Sequence, residues 1–448
     1  MPRYTYLSAP SGPFVQGTQF IYDDNIVQNG LTGMYRPLAA SDFGGPGGGI
    51  SIGDGANLDA FSRLRTSEGI SLFDSNFKYD LRPLIFYQVS GDGGSIAHDP
   101  QRVSAVLSVN TVSGSNAILQ SKQYSRYLPG KSQFIVTSQV PGAAVANVVK
   151  RFGYFDASNG IFFEQNGTTD IAFVIRSSVS GIPVDRRVAQ SNWNMDKLDG
   201  TGTSRIRLDV SKSQIFIADL QWLAMGRVRV GFDIDGQIIY CHEFLNANNL
   251  DVPYMQTANL PIRWEIRNSA ASAGGSMLAT CAAVQSEGGI EKDEGFTFSA
   301  STPTTVAAND ATRTVLLSIR PTTGYQGKVN RVLIQPQSTS VLAGNNPVVV
   351  ETWYNSSLNG GVWTQANPFS AIEWGTGQGY TDLGTKISTY FVGSSNANQG
   401  DAVNSIPSRR FPLVIDVSGY NPIPLTITAK TTASNSACYA EIEWAELP

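Results

Sequence analysis

The stretch RVRVGFDIDGQIIYCHEF, Arg227 to Phe244, decides the fold class. Read with a period of two, Val228, Val230, Phe232 and Ile234 share one face, while Arg227, Arg229 and Asp233 take the other. Asp235-Gly236 interrupts the run. A type I′ turn needs positive φ at both central residues, and Asp-Gly is one of the few dipeptides that accepts it. The stretch therefore predicts two antiparallel strands joined by a two-residue hairpin.

The same pattern recurs outward from it. LIFYQV, VSAVLSVNTV, SQFIVTSQV, NVVKRFGYF, GIFFEQ, IAFVIRSSV and RIRLDV are short, rich in branched and aromatic residues, and bounded by turns. FIADLQWLAMG fits a short helix or a buried strand. In IRWEIRN, Ile262, Trp264 and Ile266 point inward. Arg263, Glu265 and Arg267 point outward and are expected to form an exposed, ion-paired face. SEGGIEKDEG, residues 286–295, is charged, glycine-rich and without periodicity, so it marks a boundary. After it come RTVLLSIRP, NRVLIQP, NPVVVETWY, KISTYFV, FPLVIDV, PLTITAK and SACYAEIEW, enough strands for a second sandwich. In the last of these, Ala440, Ile442 and Trp444 face one way, and Glu441 and Glu443 the other. Residues 1–75 carry GPF, GLTG and GGPGGGISIGDG, which is turn chemistry, with FVQGTQFIY and MYRPL able to pair as isolated strands.

The expected organisation is all-β. An extended glycine-rich arm covers residues 1–75. A jelly-roll-like β-sandwich, lectin-like by analogy, covers 76–287. A C-terminal β-sandwich covers 296–448. No repeat of fixed length supports a propeller or solenoid.

Composition narrows the function. Charged residues make up 15% of the 448, against about 25% in ordinary soluble domains. The net charge of −4 gives no basic footprint for nucleic acid. No run of apolar residues is long enough to span a membrane, and MPRYTYLSAPSGPF lacks the apolar core of a signal peptide. Cys241, Cys281 and Cys438 are odd in number, widely spaced and set in apolar runs, so buried free thiols and synthesis in a reducing compartment are expected. A polar, weakly charged surface without an export signal fits a virion protein made in the host cytoplasm.

Catalytic motifs are sparse. SRYLPGKS, Ser125–Ser132, approaches a phosphate loop but precedes a strand rather than a helix. His242-Glu243 has no second histidine at Asn246, and Cys241 should point to the opposite face. His98 has no located partner. Asp233, Asp235, Glu243 and Glu265 leave a carboxylate pair for glycoside hydrolysis open. Trp353, Tyr354, Trp363, Phe369, Trp374 and Tyr380 cluster among Asn, Gln and Gly; they could dock a glycan or a protein, or belong to the core. No cofactor or metal site emerges.

NLDAFSRLRTSEGISLFD, Asn57–Asp74, gathers charge beside the glycine tract. LDAFSRLRTS followed by SLFDS resembles a segment of virion structural proteins of tailed bacteriophages, where forms such as DAFGRLR-S…LFD recur. LQWLAMGRVRVGFDIDGQIIYCHEF with PYMQTANLPIRWEIRN resembles a second block of the same proteins. Ser62 stands where that pattern has Gly, and Ala224-Met225 where it has Gly-Val. The resemblance spans about residues 57–290 and implies a virion location more than an activity. Leu58, Phe61 and Leu64 are expected to anchor the arm, with Arg63 and Arg65 reaching carboxylates or carbonyls on the first sandwich or a neighbouring subunit. The reading is a non-enzymatic structural component whose partners are copies of itself and other virion proteins. A glycan- or receptor-binding adhesin on the host surface is the alternative, and a polysaccharide depolymerase the third.

Overall fold

A computed structural model describes residues 69–168, 170–288, 295–394, 401–405 and 411–447, together with the backbone of 20–28 and 31–37. The chain divides into two units, Met1–Ser67 and Glu68–Pro448. In the first, Phe20–Gln28 and Leu31–Pro37 pair as an antiparallel hairpin, as FVQGTQFIY and MYRPL suggested.

In the second unit, two antiparallel sheets form the first sandwich. Sheet I has seven strands in the order Val184–Ala189, Asp170–Ser177, Gly160–Asn166, Val148–Phe155, Ile262–Asn268, Asn116–Ser121 and Phe86–Gly91. Sheet II runs Gln237–Phe244, Val228–Ile234, Gln214–Leu220, Gln133–Val140, Gly275–Ser286, Ser104–Val109 and Ser95–Asp99, with Ile70–Asn76 also on Gly275–Ser286. The chain crosses between the sheets repeatedly, as in a jelly roll. Trp264, Phe152, Phe163, Phe173, Phe216 and Phe232 fill the space between them. Phe163 sits 5.4 Å, edge-on, from Phe232 of the facing sheet.

The deciding stretch folds as read. Val228, Val230 and Phe232 are fully buried, and Asp235 and Gly236 take φ of 55° and 80°. FIADLQWLAMG contributes the strand Gln214–Leu220 and then a turn. Among the described residues the helical element is the short 3-10 turn Gln190–Asn192.

One boundary shifts. The strand Ile70–Asn76, which the expected arm of residues 1–75 takes in up to Ser75, pairs with Gly275–Ser286 and buries Phe73 in the first core. LFD here is sheet, because Phe73 and Phe77 both contact Phe86 and no solvated arm could satisfy them.

The second sandwich pairs a five-stranded sheet, centred on Ser436–Leu447 and Leu333–Ala343, with a six-stranded one. The latter runs Val362–Gln365, Ile372–Thr376, Thr314–Pro321, Leu425–Thr431, Val348–Tyr354 and Thr385–Val392. Ala440, Ile442 and Trp444 are buried as the alternation required. FPLVIDV forms isolated bridges, Leu413 to Ile334 and Ile415 to Pro422, instead of a strand. Pro412, Pro422 and Pro424 lack the N–H a ladder needs.

Candidate functional site

The densest polar cluster lies on the face of sheet I turned away from the core. Glu265, Arg151 and Glu164 stand side by side on three adjacent strands. Arg151 Nε donates to Glu164 Oε2 at 2.7 Å and its Nη1 to Glu265 Oε1 at 3.3 Å. Arg263 donates to Glu265 Oε2 from Nη2 at 2.5 Å and Nε at 2.9 Å, and to Gln120 Oε1 at 3.0 Å. Arg187 Nε donates to Glu164 Oε1 at 2.8 Å.

This corrects the expected surface face. Arg263 and Glu265 are each 5% exposed, and only Arg267 of that trio is solvent-facing. The outward direction was right; what differs is that the layer is closed. Phe155 and Phe162 lie on the same face with ring centroids 4.4 Å apart. Arg176 and Arg151 stack over Phe162 at 5.1 and 5.5 Å, and Arg263 over Phe155 at 5.4 Å. Gly160 makes the ring pair possible, since a Cβ there would fall 2.1 Å from Phe155 Cβ. Arginine forks that serve a carboxylate with their edge and a ring with their face make a dense, closely packed polar surface.

Glycoside hydrolysis needs a carboxylic acid kept protonated near neutral pH. Burial would raise Glu265, but Arg263 and Arg151 overcome it and hold the carboxyl at about 2. Asp233, Asp235 and Glu243 belong to sheet II and its hairpin, so they are not strand neighbours of Glu265, contrary to the earlier possibility.

The histidines do not meet. His242 and His98 lie on the two opposite edge strands of sheet II. His242 Nδ1 accepts the Asn194 N–H at 3.3 Å, and burial with the nearby Arg186 charge lowers its pKa to about 4. His98 Nε2 is 2.7 Å from Phe77 O. Cys241 and Cys438 are buried free thiols, whereas Cys281 is exposed, because its strand turns that side away from the core. The Pro129-Gly130 turn, with Gly130 at φ 85°, leads straight into the strand Gln133–Val140.

The second-domain aromatics separate into two sets. Tyr354 is fully buried, its Oη donating to Pro412 O at 2.9 Å, so it cannot dock a partner. Trp374 packs against the same core. Both occupy inward positions of their strands, where alternation puts apolar side chains between the sheets. Trp353 and Trp363 are half-buried on the outer face of the six-stranded sheet. Arg320 stacks on Trp363 at 3.9 Å, and Trp353 Nε1 donates to Thr428 Oγ1 at 2.9 Å. Tyr380 is half-buried in a two-stranded flap, Ser357–Asn359 with Gly379–Asp382. The arm positions Leu58, Phe61, Arg63, Leu64 and Arg65 lie outside the described residues.

The sequence reading missed Arg151, Glu164 and Arg187 as members of the cluster. The signal available was the charge in NVVKRFGYF and GIFFEQ, two otherwise apolar strands.

No known family matches the sequence, and no curated protein does. Among solved structures, a glycosyl hydrolase family 16 protein from Mycobacterium smegmatis is 13% identical, with 48% of this chain and 100% of that one covered at a TM-score of 0.33. A legume lectin-like domain from Entamoeba histolytica is 8% identical, covering 48% and 97% at 0.30. A protein of unknown function from Shewanella oneidensis is 10% identical, covering 50% and 88% at 0.33. Likeness at this level carries no argument about activity.

Proposed function

We propose that the chain is a non-enzymatic structural component of a tailed-bacteriophage virion, working through contacts with copies of itself and with other virion proteins. The observation that carries this is a set of exposed apolar side chains on segments that meet at one hairpin of the second sandwich. The hairpin Gly324–Tyr325/Lys328–Val329 touches the segments that carry Phe369 and Tyr420. Tyr325 Oη donates to Phe369 O at 2.9 Å. On the other side, a methyl group on Gly419 would sit 3.3 Å from Val329 Cγ1. Phe369 is 76% exposed, Tyr420 77% and Val329 52%. Grouped exposed apolar side chains on a weakly charged protein mark a protein contact. The pairing of Glu265 and Glu164 with arginine supports a scaffold over a depolymerase.

The test is full-length protein carrying Phe369→Ser and Tyr420→Ser together. Both side chains are exposed, so folding and melting should be unchanged. Incorporation into particles during infection should fall sharply. Normal incorporation would overturn the reading.

A further inference from the structure

A concave surface lies on the solvent face of sheet II, on the first sandwich and away from the charged cluster of sheet I. It is a cleft of about 410 Å³, within the size range of small-ligand sites. Strand register builds its floor. Ser138, Ile215 and Asp233 lie in one row across three adjacent strands. Thr280 extends the row at a bulge, with its Oγ1 2.7 Å from Ser138 Oγ. Val140 and Asp235 continue the same face one pleat further along, and Ile206 and Leu208 line a wall.

The chemistry of that row is specific. Ile215 is 39% exposed at the centre of the floor. Hydroxyls stand on one side of it and carboxylates on the other, about 10 Å apart over two strand spacings. Asp233 Oδ1 already accepts the Gly236 N–H at 2.9 Å, which fixes the carboxylate and leaves Oδ2 for a ligand. Arg207 and Lys212 stand at the rim against Asp209, Asp233 and Asp235. The charges nearly cancel with a slight acidic excess. A phosphate is disfavoured by the carboxylates, and a lipid by the polar rim. Among the described residues no group of three side chains suits a metal ion.

We propose that this cleft binds a neutral hexopyranose unit of a glycan. A pyranose has an apolar C–H face, which would lie on Ile215 and Val140. Its equatorial hydroxyl edge would donate to Asp233 and Asp235 on one side and to the oxygens of Ser138 and Thr280 on the other, whose own protons are taken up within the sheet. The inference is independent of the assembly reading and uses no residue of it.

The test uses the full-length protein with methyl glycosides of glucose, galactose and mannose, read by saturation-transfer NMR and titration. At least one should bind. Ile215→Glu, at an exposed position, replaces the apolar floor with a third carboxylate and should abolish binding. Asp233→Asn, which keeps the Gly236 hydrogen bond, should weaken binding about ten-fold, the loss of one charged hydrogen bond. Trp363→Ala, on the second sandwich, should change nothing. The melting temperature of each variant controls for folding. The proposal is overturned if no glycoside binds at millimolar concentration, if binding survives Ile215→Glu, or if Trp363→Ala abolishes it.

Discussion

Lys122 of the first sandwich holds its ammonium 5.8 Å from the ring centroid of Tyr354 in the second. The same ammonium is 5.3 Å from the Tyr87 ring, and Lys122 is only 7% exposed. No carboxylate forms an ion pair with it among the described residues. Close by, Arg331 of the second sandwich lies 4.7 Å over the Tyr124 ring, and Tyr124 Oη donates to Asp156 at 3.2 Å. The two sandwiches thus meet through cations and aromatic rings. Such contacts hold a desolvated charge without neutralising it.

Burial lowers the Lys122 ammonium to about 8. Between pH 8 and the ordinary lysine value near 10.5, the unfolded chain binds the proton more tightly than the folded one. Stability should therefore rise with pH across that window and be lowest below it. The effect is on the order of 2 kcal/mol after allowing for solvent at a domain junction. Lys122→Met should raise the melting temperature at pH 7 by a few degrees and flatten its rise toward pH 10. A lower melting temperature at both pH values would show that the ring contacts outweigh desolvation.

Glu265 has the opposite sign. Its folded value of about 2 lies below the ordinary glutamate range. The stability it contributes is present above pH 4.5 and is lost as the pH falls toward 2. Glu265→Gln leaves Arg263 without its carboxylate in a closed layer, which should cost about 3–5 kcal/mol in urea unfolding. A loss below about 1 kcal/mol would place the cluster in contact with water.

Much of this was legible in the sequence, and the limits are physical. Alternation in RVRVGFDI and IRWEIRN assigns each side chain to a face, and the faces are as assigned. It carries no information about what lies above a face. Arg263 and Glu265 looked like surface residues because charge normally means solvent. Their burial depends on Phe155, Phe162 and Arg176, which come from elsewhere in the chain. The cleft at Ile215 has no motif, since its row joins strands far apart in sequence. Trp353 and Tyr354 are neighbours that face opposite ways, so a cluster of aromatics could be divided only once the strand register was known.

The thiols offer a chemical check. Cys281 is exposed and should react with a thiol reagent in the native protein. Burial pushes the Cys241 and Cys438 thiols up, and the thiolate is the reactive form. These two should react only after denaturation, giving one equivalent native and three unfolded. Two or more equivalents in the native state would contradict the packing of the last sheet-II hairpin or of the C-terminal strand.

Two truncations separate the arm from the fold. Removing residues 1–67 leaves every strand of sheets I and II, including Ile70–Asn76 on Gly275–Ser286. Melting should shift by no more than about 2 °C, the low end of what roughly 1 kcal/mol does to domains of 150–250 residues. Removing residues 1–77 takes away Phe73 and Phe77. Phe73 meets Phe86 edge-on at 5.9 Å. Phe77 lies 5.2 Å from Phe86 and 5.8 Å from Trp264. Losing one buried phenylalanine costs about 3–5 kcal/mol, so losing both should cost roughly 6–10 kcal/mol and lower the melting point steeply. The shorter truncation should remain folded yet fail to enter particles, since the arm positions Leu58, Phe61, Arg63, Leu64 and Arg65 are proposed to make assembly contacts. If the 1–67 truncation still enters particles, assembly does not use the arm. If the two truncations melt alike, the aromatic cluster around Phe86 does not depend on the strand Ile70–Asn76.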